Sequence, residues 1–337
     1  MYLYFERLLL LNLLGFMEKN NIYNDGFISA IQNNISHKAT LVNKITDILA
    51  IDKDAVYRRL RGEVSFTFAE MANIARNMGI SLDKIAGVEN MQSRPAQMNI
   101  SNPLNPTLVD YEMFSGHVDL LKSIKDEHGT KIMEASNIFP HYLYQDYEYL
   151  TRYYIFRWNQ SRKNKNPLPY NDVIIPERLR MLQKQTCEFA RYISSTLYVW
   201  DYWIFQRLVT NVQYFAKVRL IKEEEVALIK NDLLVFLKKI EDIAIKGKHE
   251  ETGNDVSIFL SDIASDANYS CLKSKNIKLT LFRAFLLNAT VTFDSEIFDE
   301  TSAWIYSLQR MSTLISVSGE KIRAMFFDTQ RDIINKL

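Results

Sequence analysis

The stretch from Leu41 to Glu63, LVNKITDILAIDKDAVYRRLRGE, constrains the architecture more than any other, because it reads as two short helices separated by only three residues. Leu41, Ile45, Ile48 and Leu49 recur at helical spacing, and Asp52 stands where a second helix needs an N-cap. At about 100° per residue, Val56 and Leu60 share one edge of that second helix while Arg58 points away, flanked by Asp54, Ala55 and Arg61. So narrow an apolar edge suits a helix that rests on its neighbours by one seam and turns the rest outward. Residues 53 to 61 hold Lys53, Arg58, Arg59 and Arg61 against Asp54, so four minus one gives a local charge of plus three. A short, basic, outward-facing helix after a tight turn is what entry into a DNA major groove requires, since that groove admits one helix.

From Leu41 to Ile85 the chain resembles, without a gap, the lambda-repressor-like, xenobiotic-response-element class of helix-turn-helix domains. Leu49, Ala50 and Ile51 stand where that family has leucine, glycine and valine in its turn; Val56 matches the apolar core position of the third helix, and Gly62 the glycine that closes it. FAEMANIARNMGISLDKI then matches the following two helices, with Ile74 and Ala75 as core pair and Gly79 as helix stop, and DGFISAIQNNI supplies the first helix. Three positions depart from the pattern: Val42 replaces a frequent phosphate-contacting glutamine, Ala50 the turn glycine and Leu60 a frequent acidic residue. The resemblance implies a five-helix domain that binds double-stranded DNA.

Side-chain chemistry assigns expected roles. Arginine forks match the O6 and N7 edge of guanine, so Arg58 is the first base-reading candidate. Lys53 lies near the groove entrance, Tyr57 can reach a phosphate or a thymine methyl, Arg61 is placed for backbone phosphate, and Asp54 can accept from cytosine N4. The competing view is an ordinary solvated face. Over the whole chain, 41 basic residues nearly balance 40 acidic ones, so nucleic-acid affinity has to come from such a local patch.

A chain of 337 residues, 47% hydrophobic, is long enough for two domains with real cores. Residues 87 to 106, GVENMQSRPAQMNISNPLNP, lose apolar periodicity and hold three of the seven prolines. The expected organisation is therefore an N-terminal extension at 1–20, a helix-turn-helix domain at 21–88, a linker at 89–106 and a larger domain at 107–337. Within the extension, the nine-residue run LLLLNLLGF is too short to span a bilayer and lacks a cleavage site. It reads either as a docking helix or as translated upstream sequence with Met17 as the start. Cys187 and Cys271 have no partners at disulfide or metal spacing and read as packing residues in a cytoplasmic protein.

Helical patterns run over 107–127, 141–160, 177–218, 223–246, 295–312 and 319–335, whereas DVSIFLS, NYSCLKS and IKLTLFR within 255–286 read as three strands with tight connections, and KIMEASNIF at 131–139 as a further one. The fold expected is thus mainly α: a five-helix N-terminal domain and a mostly helical α+β C-terminal domain with a small antiparallel sheet near 255–286. YLYQDYEYLTRYYIFRW from Tyr142 holds eight aromatic residues in seventeen, and YVWDYWIFQ from Tyr198 adds five. Core, effector pocket and single-strand stacking compete for these; Trp200, Asp201 and Tyr202 are the effector-contact candidates.

His37, His117, His128, His141 and His249 show no metal-ligand spacing, and nucleophile-elbow, phosphate-loop and dinucleotide glycine patterns are missing, so neither catalysis nor a cofactor is expected. The function expected is a sequence-specific transcription regulator, a homodimer on double-stranded DNA, without membrane association, whose C-terminal domain serves dimerisation or senses a small-molecule or peptide effector. Two other classes stay open: a ligand-controlled helical-repeat regulator, and a module that uses its helix-turn-helix for protein contact.

Overall fold

The computed structural model describes residues 22–33, 35, 38–78, 80, 82–86, 96–162, 168–263 and 267–337. The expectations for the extension 1–20, for Gly79 and for the first part of the linker, 89–95, lie outside the described residues. The chain forms two compact units, Met1–Pro95 and Ala96–Leu337.

The first unit contains α1 (22–33), α2 (Lys38–Leu49), α3 (Lys53–Leu60), α4 (Phe68–Met78) and α5 (Leu82–Ile85). Each contributes an apolar stripe to one core, in which Phe27, Ile31, Leu41, Ile45, Val56 and Ile74 are buried. Phe27 meets Phe66 edge to face at 5.5 Å. Beside them the buried Asn24 carboxamide accepts the Phe66 N–H at 2.9 Å, which fixes α1 against the segment that leads into α4. Between α2 and α3 the chain reverses through Ala50, held at φ 52°, a left-handed conformation that disfavours any Cβ.

The second unit is built on an eight-stranded sheet in the order β1-β7-β6-β5-β2-β3-β4-β8. Its strands are β1 (Gln97–Asn99), β2 (Lys131–Ser136), β3 (Ser195–Asp201), β4 (Asp255–Ser261), β5 (Tyr269–Lys273), β6 (Lys278–Ala284), β7 (Asn288–Thr292) and β8 (Thr313–Leu314). β2, β3 and β4 run parallel, and every other neighbouring pair is antiparallel. The helices are α6 (Leu108–Ser123), α7 (His141–Tyr144), α8 (Glu148–Gln160), α9 (Glu177–Ala190), α10 (Ile204–Lys217), α11 (Glu223–Lys246), α12 (Ser295–Arg310) and α13 (Glu320–Asn335). Phe298, Ile305 and Leu308 of α12 cover one face, against Met133, Ala135, Leu197, Val199 and Cys271. Tyr198, Trp200, Ile258 and Leu260 face the opposite layer, which contains α8, α10, α11 and α13.

This overturns the expectation of a mainly α chain with a small antiparallel sheet near 255–286. The sheet is large and mixed, and the helix expected over 177–218 is interrupted by β3. β3 is buried on successive residues, so it lacks the alternation that marks a half-exposed strand and reads like the interior of a helix. β4, β5 and β6 lie where strands were expected, but β4 pairs with β3 and β8 rather than with β5. β1 lies within the segment read as linker and pairs with β7. Cys187 and Cys271 are free and buried, and burial pushes both thiols up to about 12. Among the described residues no helix is long and apolar enough to cross a membrane.

The strained turn gives a first test. Ala50→Gly removes the Cβ from the left-handed position and is expected to stabilise the N-terminal unit by about 0.5–1 kcal/mol, after allowing for the extra unfolded-state freedom of glycine. Slower hydrogen exchange at α2 and α3 amides in the full chain is the readout.

Candidate nucleic-acid interface

α3 begins at Asp52, whose extended backbone and carboxylate cap the helix by accepting the Ala55 N–H at 2.7 Å. Val56 and Leu60 are the buried residues of this helix, the narrow seam that its sequence dictates. Of the expected DNA contacts, Lys53, Asp54, Arg58 and Arg61 are exposed, whereas Tyr57 is half-buried and packs against the core. The ammonium of Lys38, at the start of α2, lies 5.9 Å from the Tyr57 ring centroid. Val42, at the position of the family's glutamine, is buried in α2.

The fourth basic residue behaves differently. Arg59 reaches across to α4 and holds Glu70 with two hydrogen bonds, Nη2 to Oε1 at 2.8 Å and Nε to Oε2 at 3.2 Å, while Nη1 donates to the Ala55 carbonyl. Glu70 also accepts the Thr67 N–H at 2.8 Å, and Thr67 Oγ1 accepts the Glu70 N–H at 3.3 Å. One half-buried carboxylate thus closes the capping box of α4 and clamps α3 to it. Burial raises the Glu70 pKa, but the Thr67 N–H and Arg59 outweigh it and hold the group below its usual range.

Glu63, just past Gly62 in the RGE tripeptide, supplies a counter-charge to this face. Its carboxylate accepts from Arg61 at 2.7 and 3.2 Å and lies 3.7 Å from Arg58 Nε. The hydrogen bond from Arg61 holds Glu63 below the ordinary carboxylate range and raises Arg61. The solvent-facing charges of 53–63 are then Lys53, Arg58 and Arg61 against Asp54 and Glu63, three minus two, or plus one. Such fully exposed pairs are screened by salt and readily exchanged for another anion.

The residues expected to contact an effector lie elsewhere. Trp200 is completely buried and meets Phe139 edge to face at 5.4 Å. Asp201, at the end of β3, accepts the Trp203 N–H at 2.8 Å and pairs with Arg207 at 2.6 Å. Tyr202 packs edge to face on Phe326 at 5.5 Å. A well-lined cavity of the C-terminal unit touches none of the three; it brings together His117, His141 and Arg283, which sequence spacing left scattered.

Glu70→Ala removes both the helix cap and the clamp and is expected to cost the N-terminal unit about 1–3 kcal/mol, read from hydrogen exchange in α3 and α4. Because the folded Glu70 titrates low, its stabilisation is complete above about 4.3, the ordinary glutamate value, and is lost as the pH falls through the depressed one. The stability gap between the native chain and Glu70→Gln is therefore expected to close at acid pH.

Residues 32–117 match the family model described as BetR domain, a helix-turn-helix-like regulatory domain. The match begins at the last two residues of α1 and ends within α6. Neither the curated proteins nor the solved structures include one that matches the chain.

Proposed function

We propose that the chain is a sequence-specific DNA-binding transcription regulator that inserts α3 into the major groove. The observation that carries this reading is the division of labour on α3: Val56, Leu60 and Arg59 fix the helix, and Lys53, Asp54, Arg58 and Arg61 remain on its solvent side. The match of residues 32–117 to a helix-turn-helix-like regulatory domain supports it. In this reading Arg58 reads guanine, Lys53 and Arg61 hold phosphate, and Tyr57 positions the Lys38 edge of the site. A homodimer doubles the short site that one helix can contact, and the C-terminal unit supplies dimerisation or effector control. No catalytic role is assigned.

A second use, protein contact through the same surface, is favoured by one observation, the reduction of the exposed charge to plus one by Glu63 and Asp54. Glu63 separates the two. If DNA is the partner, phosphate displaces Glu63 from Arg58 and Arg61, so Glu63→Gln should tighten binding and steepen its salt dependence. Arg58→Ala should erase base preference beyond the loss from Lys53→Ala, which weakens all sequences alike. Fluorescence anisotropy with selected and scrambled duplexes at several salt concentrations measures both effects. Absence of duplex binding, or equal losses for the two variants on every sequence, would overturn the DNA reading in favour of protein contact.

A further inference from the structure

The antiparallel half of the sheet borders a half-open cavity of about 350 Å³, enclosed by α6, α7, α8 and α9 and floored by β1, β6 and β7. Its size falls in the range of about 300–1,000 Å³ common to small-molecule sites. Most of the wall is apolar, with Met113, Phe114, Leu182, Leu281 and Val291 among its lining. Polar side chains interrupt it. Arg283 of β6 donates from Nη2 to His141 Nδ1 at 3.3 Å, and the His141 ring lies 5.7 Å from that of His117, whose Nε2 is buried without a hydrogen-bond partner. Gln183 of α9 is 8% exposed, and its carboxamide makes no hydrogen bond among the described residues although it lines the cavity.

Charge decides what such a site can hold. Burial keeps His117 neutral, and burial together with Arg283 and His117 does the same for His141. Arg283 is therefore the cationic group of the lining, and among the described residues it makes no ion pair with a carboxylate. Glu134 on β2 interacts electrostatically with Arg283, but burial outweighs that pull and drives it towards its neutral acid, and its Oε2 lacks a hydrogen-bond partner. A guanidinium in apolar surroundings without a paired anion is costly, and a ligand anion that reaches it gains a charge-assisted, fork-shaped pair. Being a pure donor, Arg283 makes His141 Nδ1 an acceptor and so places the proton of the neutral imidazole on Nε2.

We propose that this cavity binds a small amphipathic carboxylic acid, its carboxylate on Arg283, its hydrocarbon body along the Met113, Leu182 and Val291 wall, and His117, His141 and Gln183 hydrogen-bonding any polar substituent. The site lies wholly within 96–337 and does not depend on what the N-terminal unit binds.

Calorimetry and thermal denaturation of the full chain with octanoate, decanoate and 4-phenylbutyrate, set against octan-1-ol and octylamine, test this directly. At least one acid should bind saturably and raise the melting temperature, at least tenfold more tightly than octanol, with octylamine weaker still. Arg283→Gln should bring the acid down to the affinity of octanol while leaving octanol unchanged. Leu182→Trp, which fills the cavity without touching the polar groups, should abolish both and keeps the test open if the arginine variant does not fold. Saturable binding by none of the acids, parity of acid and alcohol, or acid binding unaltered in either folded variant overturns the assignment.

Discussion

Burial of β3 on both faces is the constraint on which the architecture of 96–337 depends. Leu197 and Val199 are covered by α12, and Tyr198 and Trp200 by the helices opposite, so no residue in the middle of the strand meets solvent. A strand so placed must have its backbone groups paired on both sides, and β2 and β4 do this in parallel. Parallel neighbours cannot be joined by hairpins. The chain therefore leaves the sheet between β2 and β3 through α7, α8 and α9, and between β3 and β4 through α10 and α11. The long helical stretches that dominate the sequence are the crossovers this strand demands.

In the N-terminal unit a related economy operates with charge. Four basic side chains on an eight-residue helix and its cap leave little apolar surface to anchor it, and Val56 and Leu60 alone offer one seam. Arg59 adds a second attachment at a different angle, through a carboxylate that α4 already needs for its own cap. Rotation of α3 about its apolar seam would break that fork, so the direction in which Arg58 and Lys53 point is fixed by a residue that itself stays turned inward. Glu63 then limits the open charge, keeping Arg58 and Arg61 paired in a conformation close to the helix end.

The N-terminal core was legible because its signals are local: heptad-like spacing in α2, the Asp52 cap, and a seam of Val56 and Leu60 need only neighbours in sequence. The positions of β4, β5 and β6 were also legible, from β-branched runs between turn residues, whereas their partners were not. Pairing is a property of the sheet, and no residue within DVSIFLS distinguishes a hairpin partner from a parallel strand sixty positions earlier. STLYVWD was hidden for a complementary reason: completely buried strands lose the alternation that identifies strands. At the candidate interface, residue type identified the exposed basic side chains correctly as outward-facing, but not that Arg59 and Glu70, eleven positions apart, would pair. His117, His141 and Arg283 come together only through the sheet, and their spacing carries no trace of it.

The change from parallel to antiparallel pairing at β2 and β5 also explains where open volume can persist. On the parallel side each strand brings its own covering helix through a crossover. β5, β6 and β7 are joined by short turns with no helix between them, and the β6–β7 turn holds Phe285 and Leu286 at φ 46° and 71°, strain that a hairpin of this kind normally avoids with glycine or asparagine. α12 covers one face of these strands, while the other face relies on α6 and α9, elements whose primary packing is with each other and with Ile132 and Leu272. Side chains from two helices that do not follow the strands cannot fill the whole of that face. The remaining space is lined by whatever the strands point into it, and at β6 that residue is an arginine rather than the leucine found two positions before it. Where an apolar residue would have filled the space, position 283 carries a half-buried guanidinium that donates to His141 Nδ1 and borders the cavity.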